Sequence, residues 1–347
     1  MFRKTYVFAL IALTLLLQAS PALSCTRFIY TADDNQILTG RSMDWLEDLH
    51  SDFWAFSRGM ERDGGVGKNS IKWTAKYGSV ILSGYDAASA DGMNEKGLVA
   101  NLLYLAESEY GPLNNKPGLS VAAWVQYVLD NYATVSEAVD SLRKEPFRII
   151  AVKFPNGSAP TLHLAISDPT GDSAIFEYIK GRLTIHHGKQ FKVMTNSPIY
   201  DRQLALDDYW QEIGGLTMLP GTNRASDRYV RASFYVDALP KFKDNRMAVS
   251  AAFSVIRNVS VPIGITTPNH PNISTTIWRI VADQKNLVYY YESAISPNIF
   301  WIDLKKIDFS PNQKPRIISL QGHPIFAGDA SGKFVPKKPF KWMAPAN

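Results

Sequence analysis

Cysteine is almost absent: Cys25 stands alone among 347 residues, so no intramolecular disulfide can form. Histidine is scarce as well, six residues scattered along the chain. The adjacent pair His186–His187 falls on opposite faces of an expected strand, poor geometry for a shared metal. No G-x-S-x-G elbow, H-E-x-x-H pair or Walker A loop occurs. Gly328-Asp329-Ala330-Ser331-Gly332-Lys333 lacks both the Walker spacing and the hydroxyl after its lysine, and reads as a turn. No metal and no cofactor is expected. Charge of one sign is lacking too: 37 basic residues against 32 acidic leave +5. The excess forms no stripe, which argues against a nucleic-acid partner. No apolar run after residue 24 is long enough to span a membrane.

What is present begins at the N-terminus. Arg3 and Lys4 precede the apolar run from Val7 to Leu17, and Ala22-Leu23-Ser24 puts small side chains at −3 and −1 before Cys25. That is the pattern of a removable export signal. The expectation is a signal peptide over 1–24, one domain over 25–347, and a periplasmic or secreted product. Exported proteins use cysteine mainly in pairs, and an unpaired thiol is open to oxidation. A lone Cys placed directly after the expected cut therefore needs a chemical reason. As a new N-terminal residue it has one. Its α-amine, with an ordinary pKa near 8, can take the thiol proton, so nucleophile and base sit on one residue and no histidine is required.

Such an amine needs an acceptor, and the thiolate a nearby cation. Thr26–Thr31 alternates and is rich in β-branched and aromatic residues, Asp33-Asp34-Asn35 is turn chemistry, and Gln36–Met43 reads as the returning strand. That hairpin brings Arg41 and Asp44 back beside Cys25. Further strands are expected at Val80–Tyr85, Leu98–Leu105, Thr161–Ser167, Ser173–Ile179 and Arg182–His187. Thr275–Ala282 and Leu287–Tyr291 read as a last hairpin. Ser120–Leu142, broken near Asn131–Thr134, has helical spacing, as do Arg202–Ile213, Ala225–Leu239 and Ala248–Asn258. Arg62–Lys68 reads as an exposed loop. Strands, then helices, then strands argue for antiparallel sheets with helices layered outside, an α+β arrangement.

Five stretches then carry a resemblance. Cys25-Thr26, Gly40-Arg41-Ser42-Met43-Asp44-Trp45, the run Ala90 to Leu98, Thr195-Asn196-Ser197-Pro198 and Asp227-Arg228-Tyr229-Val230-Arg231 resemble, in that order, the choloylglycine hydrolases and penicillin V acylases. The resemblance implies a four-layer αββα sandwich of two antiparallel sheets, the Ntn-hydrolase fold, and cleavage of linear amide C–N bonds. It implies Cys25 as nucleophile, Asp44 holding its amine, Arg41 and Arg228 beside the thiol, and Asn196 in the oxyanion hole. Tyr104 matches a position that is Asn in bile salt hydrolases and Tyr in penicillin V acylases, and Met43 one that lines the acyl pocket. Read alone, Asn196 is a turn residue and Tyr104 a core aromatic.

The export signal resembles the exported Gram-negative branch, some of which act on acyl-homoserine lactones. The segment between Asn196 and Arg228 is shorter than the subunit-locking one of many intracellular members, so no tetramer is implied and a homo-oligomer stays open. The expected partner is a small N-acyl amide with an apolar or aromatic acyl group. Conjugated bile salt hydrolysis is the alternative within the class. A non-catalytic exported binding lipoprotein, lipidated at Cys25, is the alternative outside it.

Overall fold

The computed structural model describes residues 25–346 apart from 113, 155–156, 158, 160, 216, 266–273 and 297. The expected signal peptide, 1–24, lies outside the described residues. The first hairpin joins β1 (Thr26–Thr31) to β2 (Ile37–Trp45). Its turn uses Asp34 and Asn35 at φ 51 and 52, a left-handed conformation that short polar side chains tolerate. Phe28 faces Gly40 across the pair. A Cβ on Gly40 would lie 2.4 Å from Phe28 Cζ, so this glycine is set by close approach of the ring.

Two large sheets result. One has seven strands: β1 and β2 lie between Val193–Met194 on one side and Thr275–Asp283 on the other, followed by Val288–Ser293, Ile299–Asp303 and Gly328–Asp329. It is antiparallel except at its last pair. The other has nine, all antiparallel, with the meander Leu162–Ser167, Ser173–Ile179 and Arg182–His187 at one side and Ser79–Gly84, Ala88–Asn94 and Val99–Tyr104 at its centre. The turn into Val99–Tyr104 relies on Gly97 at φ +79, where a Cβ would meet Gln284 O at 2.6 Å.

Helices cover both outer faces. α1 (Trp124–Asn131) and α2 (Val135–Leu142) bury their apolar stripes on the nine-stranded sheet, against Ile81, Ala100, Leu164 and Ile166. Thr134 caps α2 by accepting from Glu137 N, the role its side chain prefers. α3 (Tyr200–Ile213), α4 (Ala225–Ala238) and α5 (Asn245–Asn258) belong to the other side. A second core runs between the sheets and under α4 and α5, with Phe28, Leu82, Leu103, Phe253 and Ile280 fully or almost fully buried. The layering is α, β, β, α, as expected.

Two local expectations need correction. Arg62–Lys68 is not simply exposed: Glu61–Asp63 pairs with Lys72–Thr74, and Arg62 is buried on Asp130 at 2.9 Å. Gly328–Asp329 is a short parallel partner of Phe300–Trp301, with a 3-10 turn at Ser331–Lys333 behind it. Charge and glycine content suggested loops, but pairing with distant segments decided both.

Because the Phe28 ring occupies the space a Cβ would take, Gly40→Ala is expected to lower unfolding free energy by about 1–3 kcal/mol, the usual range for overpacking. Adding Phe28→Leu should recover part of that loss. Urea unfolding of the four variants of the cycle checks it, and additive losses would contradict the packing argument.

Candidate active site

The hairpin register places the polar residues of β2. Thr26 faces Ser42, so Met43 and Asp44 extend beyond the start of β1, alongside Cys25. Side chains alternate along a strand. Arg41 and Met43 therefore turn toward the nine-stranded sheet, and Ser42 and Asp44 toward the helices. Cys25, 2% exposed, sits at the boundary. Its Sγ lies 3.8 Å from Met43 Sδ and 3.8 Å from the main-chain oxygen of Asp44.

On the helix side, α4 delivers Arg228, which is fully buried. Its Nη1 donates to Cys25 O at 2.8 Å and to Thr26 Oγ1, and its Nε to Asn223 O at 3.0 Å. The same Nη1 is 3.7 Å from Asp44 Oδ2. Asp44 Oδ1 accepts from Thr276 Oγ1 at 2.5 Å and Oδ2 from Ser42 Oγ at 3.3 Å. Thr276 reaches it because the Thr275–Asp283 strand carries an irregularity between Thr276 and Trp278, one extra residue against β2. Such bulges re-aim side chains. Burial pushes the Asp44 carboxyl up to about 6, against the pull of Arg228 and the two hydroxyls.

Asn196 follows Val193–Met194, the strand paired with β1. Its Oδ1 accepts from Cys25 N and from Arg228 Nη2, the latter at 3.2 Å, and its Nδ2 donates to Tyr104 O at 2.8 Å. Asn196 thus bridges the two sheets through the cysteine nitrogen. The amide serves Cys25 N as an acceptor, a place the sequence reading gave to Asp44. The Asp44 carboxylate is engaged by Thr276 and Ser42 instead. In the intact chain Cys25 N is a peptide nitrogen with one hydrogen, and Asn196 takes it.

On the opposite side, Arg41 is fully buried, with Nη1 2.7 Å from Asp91 Oδ2 and Nη2 3.8 Å from Met43 Sδ. Burial raises the Cys25 thiol pKa above its ordinary value; Arg41 is the strongest opposing influence, Asp44 adds to the rise, and Arg228 works against it. The resting sulfur is a thiol. It opens on an apolar cleft of about 60 Å³, lined by Met43, Trp45, Ala90, Leu102, Tyr104 and Phe154 among others. Phe154 packs on Trp45 and Tyr85 with centroids 5.7 and 5.2 Å apart. Tyr104 is half-buried, and burial holds its phenol protonated beyond the ordinary range. A larger cleft across Trp45, lined by Asp48, His50, Thr276 and His323, contains no nucleophilic thiol.

All seven residues singled out in the sequence, Cys25, Arg41, Met43, Asp44, Tyr104, Asn196 and Arg228, converge here. Sequence reasoning missed Thr276, Asp91 and Gln203. Gln203 clamps the Asn196 segment, its Nε2 donating to Asn196 O and to Pro198 O at 2.7 Å while Thr195 Oγ1 donates to its Oε1 at 2.7 Å. Gln203 left a faint signal, a polar residue in the first turn of a helix, and Asp91 lay inside a quoted motif with no role given. Among the described residues no group of three or more His, Cys, Asp or Glu is disposed to hold a metal ion. His187 pairs with Asp172 and His186 faces Asp201.

Two facing antiparallel sheets between helical layers, with a buried thiol at the head of a strand, define the Ntn-hydrolase fold. The chain belongs to the choloylglycine hydrolase family of linear amide C–N hydrolases, whose model matches residues 25–318. It is similar to a penicillin V acylase of Pectobacterium atrosepticum, 50% identical over 98% of this chain and 97% of that one. The solved structure of penicillin V acylase from Agrobacterium tumefaciens superposes with a TM-score of 0.86 at 56% identity, over 92% of this chain and 100% of that one. A bile salt hydrolase/transferase of Clostridium perfringens is 26% identical over 83% of this chain and 95% of its own.

The Thr276 hydroxyl favours the ionised form of Asp44, so its worth depends on pH. Above about 6 the carboxylate carries charge, and Thr276→Val is expected to cost roughly 1.5–3 kcal/mol, as for a hydrogen bond to a charged group. Below that value Asp44 is protonated and the cost should fall to about 1 kcal/mol or less. Urea unfolding at pH 8 and pH 5 measures both, and an equal cost at the two would contradict this ionisation scheme.

Proposed function

We propose that this enzyme hydrolyses N-acyl amides through a thioester on Cys25, with a penicillin V acylase-like preference for apolar or aromatic acyl groups. The observation that carries the reading is the position of Cys25, whose sulfur opens on the apolar cleft while its nitrogen and carbonyl are held by Asn196 and Arg228. Removal of residues 1–24 converts its nitrogen from a non-basic amide to an amine. Asn196 Oδ1 keeps one of its hydrogens, and Asp44 is the nearby carboxylate for a second.

In the first step the amine takes the thiol proton as Sγ attacks the substrate carbonyl carbon and forms the S–C bond. The negative charge moves to the carbonyl oxygen. The second hydrogen on Asn196 Nδ2, beside the one given to Tyr104 O, is the proposed donor to that oxygen; a preorganised donor contributes roughly 3 kcal/mol. Collapse breaks the C–N bond, and the leaving amine receives the proton from the cysteine ammonium. Water then yields a proton to the same amine and attacks the thioester carbon, releasing the carboxylic acid and restoring the thiol. A thiol raised by burial makes this base necessary, because little thiolate is present at rest. Arg41 and Arg228 favour the thiolate as it forms.

The acyl group would lie against Met43, Tyr104 and the Trp45–Phe154–Tyr85 aromatic wall. Phenoxyacetyl fits that chemistry, and a flexible acyl chain such as that of an acyl-homoserine lactone is the further substrate to be tried. Export to the periplasm or medium is part of the proposal, supported by the Val7–Leu17 run and its small-residue cut site.

Side-by-side turnover of penicillin V, a long-chain acyl-homoserine lactone and glycocholate tests the acyl preference. The expectation is that glycocholate is the poorest; finding it the best would overturn the ranking. Cys25→Ala should fold normally and lose at least about 10³-fold in kcat. A chain retaining Ser24 should be equally inactive, since its nitrogen cannot accept a proton. Intact mass of the exported protein should begin at Cys25 unmodified; added diacylglycerol would favour the lipoprotein reading.

A further inference from the structure

Resting on Cys25 as nucleophile, we infer that Asp91, braced by Tyr289 and Asn101, is a positioning residue that fixes Arg41 and balances its charge beside the sulfur. Both Asp91 oxygens are filled. Oδ2 accepts from Arg41 Nη1 and Asn101 Nδ2, each at 2.7 Å, and Oδ1 accepts from the Tyr289 hydroxyl. All four residues are fully buried. Asp91 and Asn101 are cross-strand partners in the nine-stranded sheet, while Arg41 and Tyr289 come from the seven-stranded one. The cluster is therefore a polar rivet through the layer between the sheets, much of which is apolar.

The rest of the guanidinium is equally confined. Nη1 also donates to Ala90 O at 3.0 Å and Nη2 to Leu102 O at 2.7 Å, and the group lies over the Trp278 ring at 5.0 Å. What remains open is the edge toward Met43 Sδ and the thiol. An unpaired guanidinium there would strongly favour a standing thiolate, a form easily oxidised outside the cell. Paired with Asp91, Arg41 is close to neutral overall. It can still respond locally to charge that develops on sulfur during attack.

The other ionisable groups facing this region are Asp44 on β2, Arg228 on α4, Tyr104 on the strand Val99–Tyr104, and Tyr289 itself; Arg279 acts through Asp44. None of them carries a negative charge on the Arg41 side of the sulfur other than Asp91. Removing that charge has a direction that mere loss of packing does not share. The thiol becomes easier to ionise while turnover becomes slower.

The test measures the rate of Cys25 alkylation by iodoacetamide against pH, together with kcat and KM, in the processed enzyme. Asp91→Asn is expected to lower the alkylation midpoint by about one pH unit and kcat about tenfold or more, with KM within about threefold. An unchanged or raised midpoint, or turnover within about twofold of the unaltered enzyme, would overturn the inference. If Asp91→Asn does not fold, Tyr289→Phe decides. It keeps the carboxylate, so the midpoint should stay while kcat falls about threefold to tenfold. Full turnover, or a midpoint lowered as far as a lost charge would lower it, overturns the inference. Alkylated but fully active unaltered enzyme would instead overturn the nucleophile reading itself.

Discussion

Everything around Cys25 depends on two guanidinium groups being buried on opposite sides of one strand end. Arg41 and Arg228 are both fully excluded from solvent, and an isolated charge in that position would cost several kcal/mol. Arg41 is offset by Asp91, and Arg228 by Asp44 at longer range plus four oxygen acceptors. Breaking a buried pair of this kind by removing one partner commonly costs 3–5 kcal/mol. Here the fold accepts that risk beside the thiol, where the proposed reaction has sulfur change charge. Elsewhere between the sheets the packing is largely apolar, with Leu82, Met93, Leu103 and Ile280 fully or almost fully buried.

The division of labour follows from strand periodicity. In Arg41-Ser42-Met43-Asp44 alternate residues face alternate layers, so a four-residue run sends a cation and a thioether one way and a hydroxyl and a carboxylate the other. The bulge at Thr276 and the clamp at Gln203 then fix what periodicity leaves loose. A carboxyl raised to about 6 by burial contributes stability while protonated and loses it as pH climbs through that value. Under the proposed removal of residues 1–24, an α-amine freed beside Asp44 would supply a hydrogen-bond donor, and a cation when protonated, that opposes this loss.

Much of this was legible from the residues. The β1–β2 hairpin, the Ser120–Leu142 break and the helices α3 to α5 follow local turn chemistry and spacing, and the structure shifts their ends by only a few residues. Asp33-Asp34-Asn35 announces a turn because its φ values suit Asp and Asn. The motif residues were legible as a group only because five stretches occur in order. What stayed hidden is what long-range pairing decides. Nothing local distinguishes Asp91 from the other acidic residues of a turn-rich run, and its partner Tyr289 is 198 positions away. Arg62 looked solvated until Asp130, on α1, buried it. Asp44 was read as holding the freed cysteine amine; in the intact chain Asn196 Oδ1 accepts from the peptide nitrogen of Cys25, while Asp44 accepts from Thr276 and Ser42.

The two halves of the site come from different layers, and this has a consequence for specificity. The groups that touch Cys25 arise from β2, α4 and the segment after Val193–Met194, all on the seven-stranded side. Much of the cleft wall comes from the other sheet and its surroundings, through Tyr85, Ala90, Leu102, Tyr104, Val121 and Leu162. Substitutions in that wall can reshape the proposed acyl pocket without moving a charge near sulfur. Met43, Tyr104 through its carbonyl, and Arg41 through Asp91, Ala90 O and Leu102 O link the two halves. A change of substrate within this fold therefore has a path that leaves the chemistry intact. It runs through the nine-stranded sheet, and it stops at Asp91.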